Sequence, residues 1–248
     1  MRRILSLFAL LVACAPPDHE VTLAELAPTV DVAVEVGPDN ATITLLPRSG
    51  SFAPTQCPAL HDVSVTFAGL PFDPSHSSSG GSYVAVDPTS GVASAVCQVP
   101  QWIVPLAGHT FDPSAPTPIV ITDGTATVEV DAHDVFATPS FHVATPDGML
   151  HAGASGAVVV SPAVLLGGDA ACVFTPNGQT VDYDFIDGTA SNATITLDVP
   201  ADSPLGPGEL DCQLSANAPI DHCDGANSCS VTLNRYVQVA FDATIVSP

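Results

Sequence analysis

Three aspartates, Asp182, Asp184 and Asp187, stand just ahead of Gly188 and form the best set of oxygen ligands in the chain. Carboxylates two apart on a strand share a face, and a third from the following loop can join them. Ca2+ takes roughly six to eight oxygens and is the cation such a set would hold. The spacing departs from an EF-hand loop, because the third Asp is one place late and no Glu closes the loop. A solvated strand face ending in an Asp-Gly turn is the alternative, and the sequence favours it. Asp131, His133 and Asp134 form a second group, with His142 and His151 following. Three histidines across a joint could ligate a transition metal, against the commoner reading of isolated surface histidines. The sequence has no G-x-S-x-G elbow, no H-E-x-x-H pair and no glycine-rich phosphate loop. No catalytic residue is nominated, the chain is expected not to be an enzyme, and beyond the Ca2+ set no cofactor is expected.

Cysteine is the other reactive type. After Cys14 there are six: Cys57, Cys97, Cys172, Cys212, Cys223 and Cys229. An even set in an exported chain reads as disulfides. Pairing is selected by an internal repeat: Pro162, Cys172, Cys212 and Gln213 each lie 115 positions after Pro47, Cys57, Cys97 and Gln98. The peptide NATITL recurs in another register, at Asn40 and Asn192, but the cysteine register carries four landmarks. It gives Cys57 with Cys97 and Cys172 with Cys212, and leaves Cys223 with Cys229. A metal site at His222, Cys223 and Cys229 is the rival, disfavoured because the cysteines lack C-x-x-C spacing. The segment between the last pair has no counterpart in the first repeat. A cyclised loop loses less conformational entropy on binding, so Asp221, His222, Asp224 and Asn227 are the candidate contact residues. Protection of an exposed loop from proteolysis would call for the same bridge.

The elements that must hold these residues are short and β-rich. Val30, Val32, Val34 and Val36 alternate with polar or small residues, as do Val63, Val65 and Phe67, and Ala126, Val128 and Val130. Further strands follow at Ala41–Leu46, Tyr83–Val86, around Cys97, at Phe141–Val143, Ala157–Val160 and Ile195–Val199. Asn177-Gly178 signals a tight hairpin leading to a strand whose apolar face carries Val181, Tyr183 and Phe185. Val231–Val246 reads as one long final strand. With 24 Pro and 18 Gly as punctuation, the pattern predicts an all-β chain of two antiparallel sandwiches, at 29–136 and 137–248.

Composition narrows the partners. Hydrophobic residues make up 46% of the 248, enough to fill a core. The formal net charge is −22; there is no Lys, and the four Arg are Arg2, Arg3, Arg48 and Arg235. Such a polyanion cannot release counterions from phosphates, so nucleic acid is excluded as a partner.

Residues 1–13 place two Arg before an apolar run that ends in small residues, the layout of an export signal and too short to span a bilayer. Leu11-Val12-Ala13-Cys14 resembles the lipobox of bacterial lipoproteins. That resemblance implies a lipid on Cys14 and a membrane anchor; Ala15 after it implies the outer membrane of a Gram-negative envelope. Residues 14–28 would then be a tether of at most about 50 Å, with a short helix near 21–27 marginal on its own. The paired cysteines and alternating strands resemble tandem immunoglobulin-like domains of bacterial surface proteins. The only Trp, Trp102, follows the second Cys instead of lying between the pair. The resemblance implies a binding, adhesion or spacer module facing an envelope or extracellular protein or glycan. The competing reading is a metal-dependent carbohydrate-binding protein or an extracellular hydrolase.

Overall fold

In the computed structural model, residues 18–47, 57–73, 82–86, 93–178, 184–234 and 238–248 are described. The first part of the chain forms β1 (Asp18–Glu20), α1 (Leu23–Leu26), β2 (Val30–Val36), β3 (Asn40–Pro47), β4 (Cys57–Ala59), β5 (Ser64–Phe67), β6 (Leu70–Pro71), β7 (Ser82–Val86), β8 (Ala93–Gln98), β9 (Gln101–Pro105), β10 (Thr117–Thr122) and β11 (Thr127–Ala132). Next come β12 (Ser140–Val143), β13 (Leu150–His151), β14 (Ser155–Ser161), β15 (Leu165–Pro176), β16 (Asp184–Asn192), β17 (Thr194–Asp198) and β18 (Gly206–Asn217). The chain ends with β19 (Ile220–Asp224), β20 (Ser228–Leu233) and β21 (Gln238–Val246). The fold is all-β, built as two sandwiches.

Alternation explains each layer. In β2 every second residue (Val30, Val32, Val34, Val36) is buried, and β3 opposes it with Ala41, Ile43 and Leu45. β9 continues that sheet, placing Trp102 opposite Ile43 in the core. The facing sheet runs β6-β5-β10-β11, all antiparallel, and contributes Val65, Phe67, Ile119, Ile121, Val128 and Val130. The second sandwich runs β12-β14-β17-β16-β15-β18-β21-β13. Its last contact is parallel, Leu150 beside Ile245, and β13 turns at once into β14. The row of strands therefore coils back on itself. Gly156 permits the closure, since a Cβ there would meet Leu150 Cδ2 at 2.5 Å. β3 and β14 lie 115 positions apart and share the same alternating burial, the repeat's clearest structural trace.

Four expectations change. The final strand is two strands, β20 and β21, in different sandwiches. Val231, Leu233, Ala243 and Ile245 are all buried and all odd-numbered, so one period-two pattern spans both and hides the break.

Residues 220–233, which the division at 136/137 assigned to the second domain, pair mostly with the first, although β20 also meets β18 where Thr232 stands opposite Asn217. β19 is antiparallel to β11 and β20 is parallel to β2. The two sandwiches are thus interleaved, and one hydrophobic cluster runs through both.

The segment 14–28 expected as a tether is packed at its end, because Leu23 and Leu26 are buried in the core. The helix that is marginal alone is held by a capping box between Thr22 and Glu25 and by Asp123, whose Oδ2 accepts from the Leu23 N–H at 2.9 Å across a hundred residues.

The fourth change is a register. A two-residue Asn177-Gly178 turn would oppose Phe174 with Val181, but Phe174 faces Asp184. An odd shift of register exchanges the faces of a strand, so Ile186 is buried and Phe185 is 66% exposed.

Candidate functional site

The residues nominated from the sequence gather mainly at one place, the loop-linked strands β19 and β20, which lie in different sheets. They lie against the open flanks of both sheets of the first sandwich. Glu129, Val130 and Asp131 of β11 stand opposite Asp224, Cys223 and His222. Val32, Ala33 and Val34 of β2 stand beside Cys229, Ser230 and Val231. Cys223 and Cys229 are bonded, six residues apart, with Cα atoms separated by 6.0 Å. This bridge ties a strand of one sheet to a strand of the other.

The tip is docked as well as cyclised. Asp31 Oδ1 accepts from Asn227 Nδ2 at 2.6 Å and from the Ser228 hydroxyl at 2.7 Å, and the Asn227 N–H donates to the Val30 carbonyl. Gly225 has φ +77°, and a Cβ there would lie 2.5 Å from the Thr127 carbonyl oxygen; glycine is the residue that fits both conditions. Short connections hold the other end. The Ala218 N–H donates to the Val231 carbonyl and the His133 N–H to the Pro219 carbonyl. Asn227 therefore serves to seat the loop, while Asp221, His222 and Asp224 are exposed along β19.

Pairing of β11 with β19 also merges two groups that are far apart in sequence. His133 lies between Asp134, at 3.9 Å from Nδ1, and Asp221, at 3.7 Å from Nε2. His222 and Asp131 are ladder neighbours. The result is an exposed ledge of carboxylates and imidazoles. Sequence reasoning missed it because periodicity reports faces and not which strands become neighbours.

His142 and His151 do not join it. His142 stands on β12 opposite Val159, and His151 Nε2 donates to Asp147 Oδ2 at 2.9 Å. The Met149 N–H first, then the Thr145 hydroxyl and His151, hold the Asp147 carboxyl below its ordinary range. Among the described residues no three His, Cys, Asp or Glu side chains are grouped to hold a metal ion. In the Ca2+ set, Asp187 is exposed on β16 opposite Asp198; Asp182 and the side chain of Asp184 lie outside the described residues.

Cys172 and Cys212 are bonded across adjacent strands, β15 and β18, with Cα atoms 4.0 Å apart. In antibody-type domains the bridge crosses between sheets; here it lies within one. Cys97 is buried and disulfide-bonded, while the side chain of Cys57 and all of Cys14 lie outside the described residues. Disulfides of this kind persist where thiols are not kept reduced, outside the cytosol. Among the described residues no helix is long and apolar enough to cross a membrane.

No family model matches the chain, and no curated protein matches it. Among solved structures it is similar to a crystal structure of chicken CNTN1 FN1–FN3 domains, at 9% sequence identity and a TM-score of 0.27. The match covers 93% of this chain and spans 66% of the length of that one. At that similarity it carries no argument about partner or activity.

Proposed function

We propose that this chain is a non-enzymatic lipoprotein of a Gram-negative envelope, anchored to the outer membrane through Cys14, whose paired sandwiches form a binding or adhesion module. The observation that carries the reading is the cyclised, docked segment of β19 and β20. A surface segment with one strand in each of two ladders, tied by one disulfide and the Asp31 hydrogen bonds, loses little freedom when it meets a partner. It presents Asp221, His222 and Asp224 beside Glu129 and Asp131. That charge suits an envelope or extracellular protein with a basic surface. Sandwich strands supply the scaffold and a surface segment supplies the contact.

The anchor and the contact are tested separately. Metabolic labelling with a fatty-acid analogue is expected to mark the wild type and leave Cys14→Ser unmarked; equal labelling of both removes the anchor. A photo-crosslinking residue at His222 is compared in intact envelopes with one at Asp169, on the second sandwich. A discrete adduct from position 222 that position 169 does not give is expected. Identical adducts from both positions would remove β19 from the contact.

A further inference from the structure

We propose that the recess at the end of the first sandwich is a binding site for a small organic cation with an apolar body. The recess is independent of the β19 ledge. It measures about 330 Å3 and is lined by Ala68, Phe111, Asp112, Pro116, Thr117 and Phe136, among others. That volume lies at the lower end of the range for small-molecule pockets, roughly 300–1,000 Å3.

Its apolar wall is fixed before any ligand arrives. Phe111 and Phe136 stack with ring centroids 4.0 Å apart and planes within 4°, and Phe67 abuts Phe136 edge-on at 5.9 Å. The turn between β5 and β6 completes the rim, with Ala68 and Gly69 at φ +49° and +79°.

Two polar groups give the recess its selectivity. Thr117, the first residue of β10, is 2% exposed, and its hydroxyl makes no hydrogen bond among the described residues. A buried hydroxyl without a partner is destabilising, and a ligand that donates to it removes that penalty. Asp112 is exposed and stands at the mouth. Its Oδ1 accepts from the Ser114 N–H at 2.9 Å and from the Ser114 hydroxyl at 2.7 Å, leaving Oδ2 available. Those bonds, the hydroxyl's first, hold the carboxyl below its ordinary range, so it is an anion at neutral pH. Among the described residues no Lys, Arg or His lines the recess to oppose a cation. An apolar wall, a buried hydroxyl and a fixed carboxylate together match an aryl or alicyclic amine: the ring against the phenylalanines and Pro116, the ammonium between Thr117 and Asp112.

The test titrates 15N-labelled protein with phenethylammonium, 2-phenylethanol and phenylacetate, which share one body and differ in charge. Amide shifts of Gly69, Thr117 and Phe136 are read. Saturable shifts are expected with the amine, binding about threefold weaker with the alcohol, and none with the acid. Thr117→Val should weaken the amine about fivefold, while Thr117→Ser binds as the wild type does. Asp112→Asn should bring the amine to the affinity of the alcohol. Shifts that do not saturate, equal binding of amine and acid, or full binding by Thr117→Val would each overturn the proposal.

Discussion

The two sandwiches solve one problem in different ways. Each has edge strands whose buried faces and unpaired backbone need a neighbour. The second closes with its own chain: β13 lies parallel to β21, and β21 pairs with β18 over eight residue pairs, from Gly206 with Ile245 to Gln213 with Gln238. The first leaves β2 and β11 with open flanks and fills them with β20 and β19, a segment emitted between the last two strands of the second. The difference teaches that the sandwiches are not beads on a string. The N-terminal one is completed by residues near the C-terminus, so its final packing depends on almost the whole chain. Contacts this distant in sequence are also the slow ones to form.

That asymmetry can be broken at the second sandwich first. Replacing Cys172 and Cys212 together by Ala removes a cross-link with a sequence separation of 40, and the chain-entropy argument gives a loss of about 4 kcal/mol. Hydrogen exchange should speed up along β15 and β18 while β5 and β10 keep their protection. Equal loss in both sandwiches would mean that the closures are not separable.

Leu233→Ala sharpens the contrast. Leu233 is 0% exposed on β20 and belongs to the shared core, so truncation should cost about 3 kcal/mol. The loss of protection should appear on β2, nearly two hundred residues earlier, rather than on β21, which follows at once. Protection lost at β21 alone would show that the C-terminal segment is packed as one strand of the second sandwich.

Removing the Cys223–Cys229 bridge by serine at both positions should cost about 2 kcal/mol, since the closed loop is short. Its effect should be confined to β19, β20 and their partners β11 and β2. A variant as stable as the wild type in denaturant titration would reduce the bridge to a protection against proteolysis.

Acid gives the smallest effect. The N–H groups of Ala126, Leu23 and Thr125, with the Thr125 hydroxyl, hold the Asp123 carboxyl well below the usual carboxylate range. A depressed folded-state pKa contributes stability that is complete above the unfolded value, about 3.9, and is lost as the pH falls below it. Helix α1 should therefore lose exchange protection on acidification below about pH 4, and the acid limb should flatten in Asp123→Asn. Asp147 of the second sandwich, also held below its ordinary range, bonds Thr145, Met149 and His151, all close in sequence, so its titration should leave distant segments undisturbed.

Local order was largely legible in the sequence. Alternating valines located β2, β5 and β11, and the run at Ala41 located β3, because a half-buried strand writes its period into residue types. What the sequence could not show was partnership. The same odd-numbered alternation runs from Val231 through Ile245, so nothing in it reveals that the chain leaves one sandwich for another near residue 234. The register after Asn177-Gly178 was also hidden: Phe174 stands opposite Asp184 rather than Val181, and the strand's two faces were exchanged. Asp131 and His133 were visible as a cluster and so were Asp221 and His222. Their union depends on the pairing of β11 with β19, which no local pattern encodes. The recess was missed for a like reason, since Thr117, Phe111 and Phe136 meet only after β10 and the 135–136 segment have packed.

One measurement tests the borrowed closure most directly. Val34 of β2 and Val231 of β20 are ladder neighbours, both buried on one face. A methyl-labelled NOESY spectrum should show a strong Val34–Val231 cross-peak alongside the Val34–Ile43 contact that β3 supplies. A spectrum in which Val34 contacts Ile43 but no methyl group of β20 would contradict the claim that the C-terminal segment completes the first sandwich.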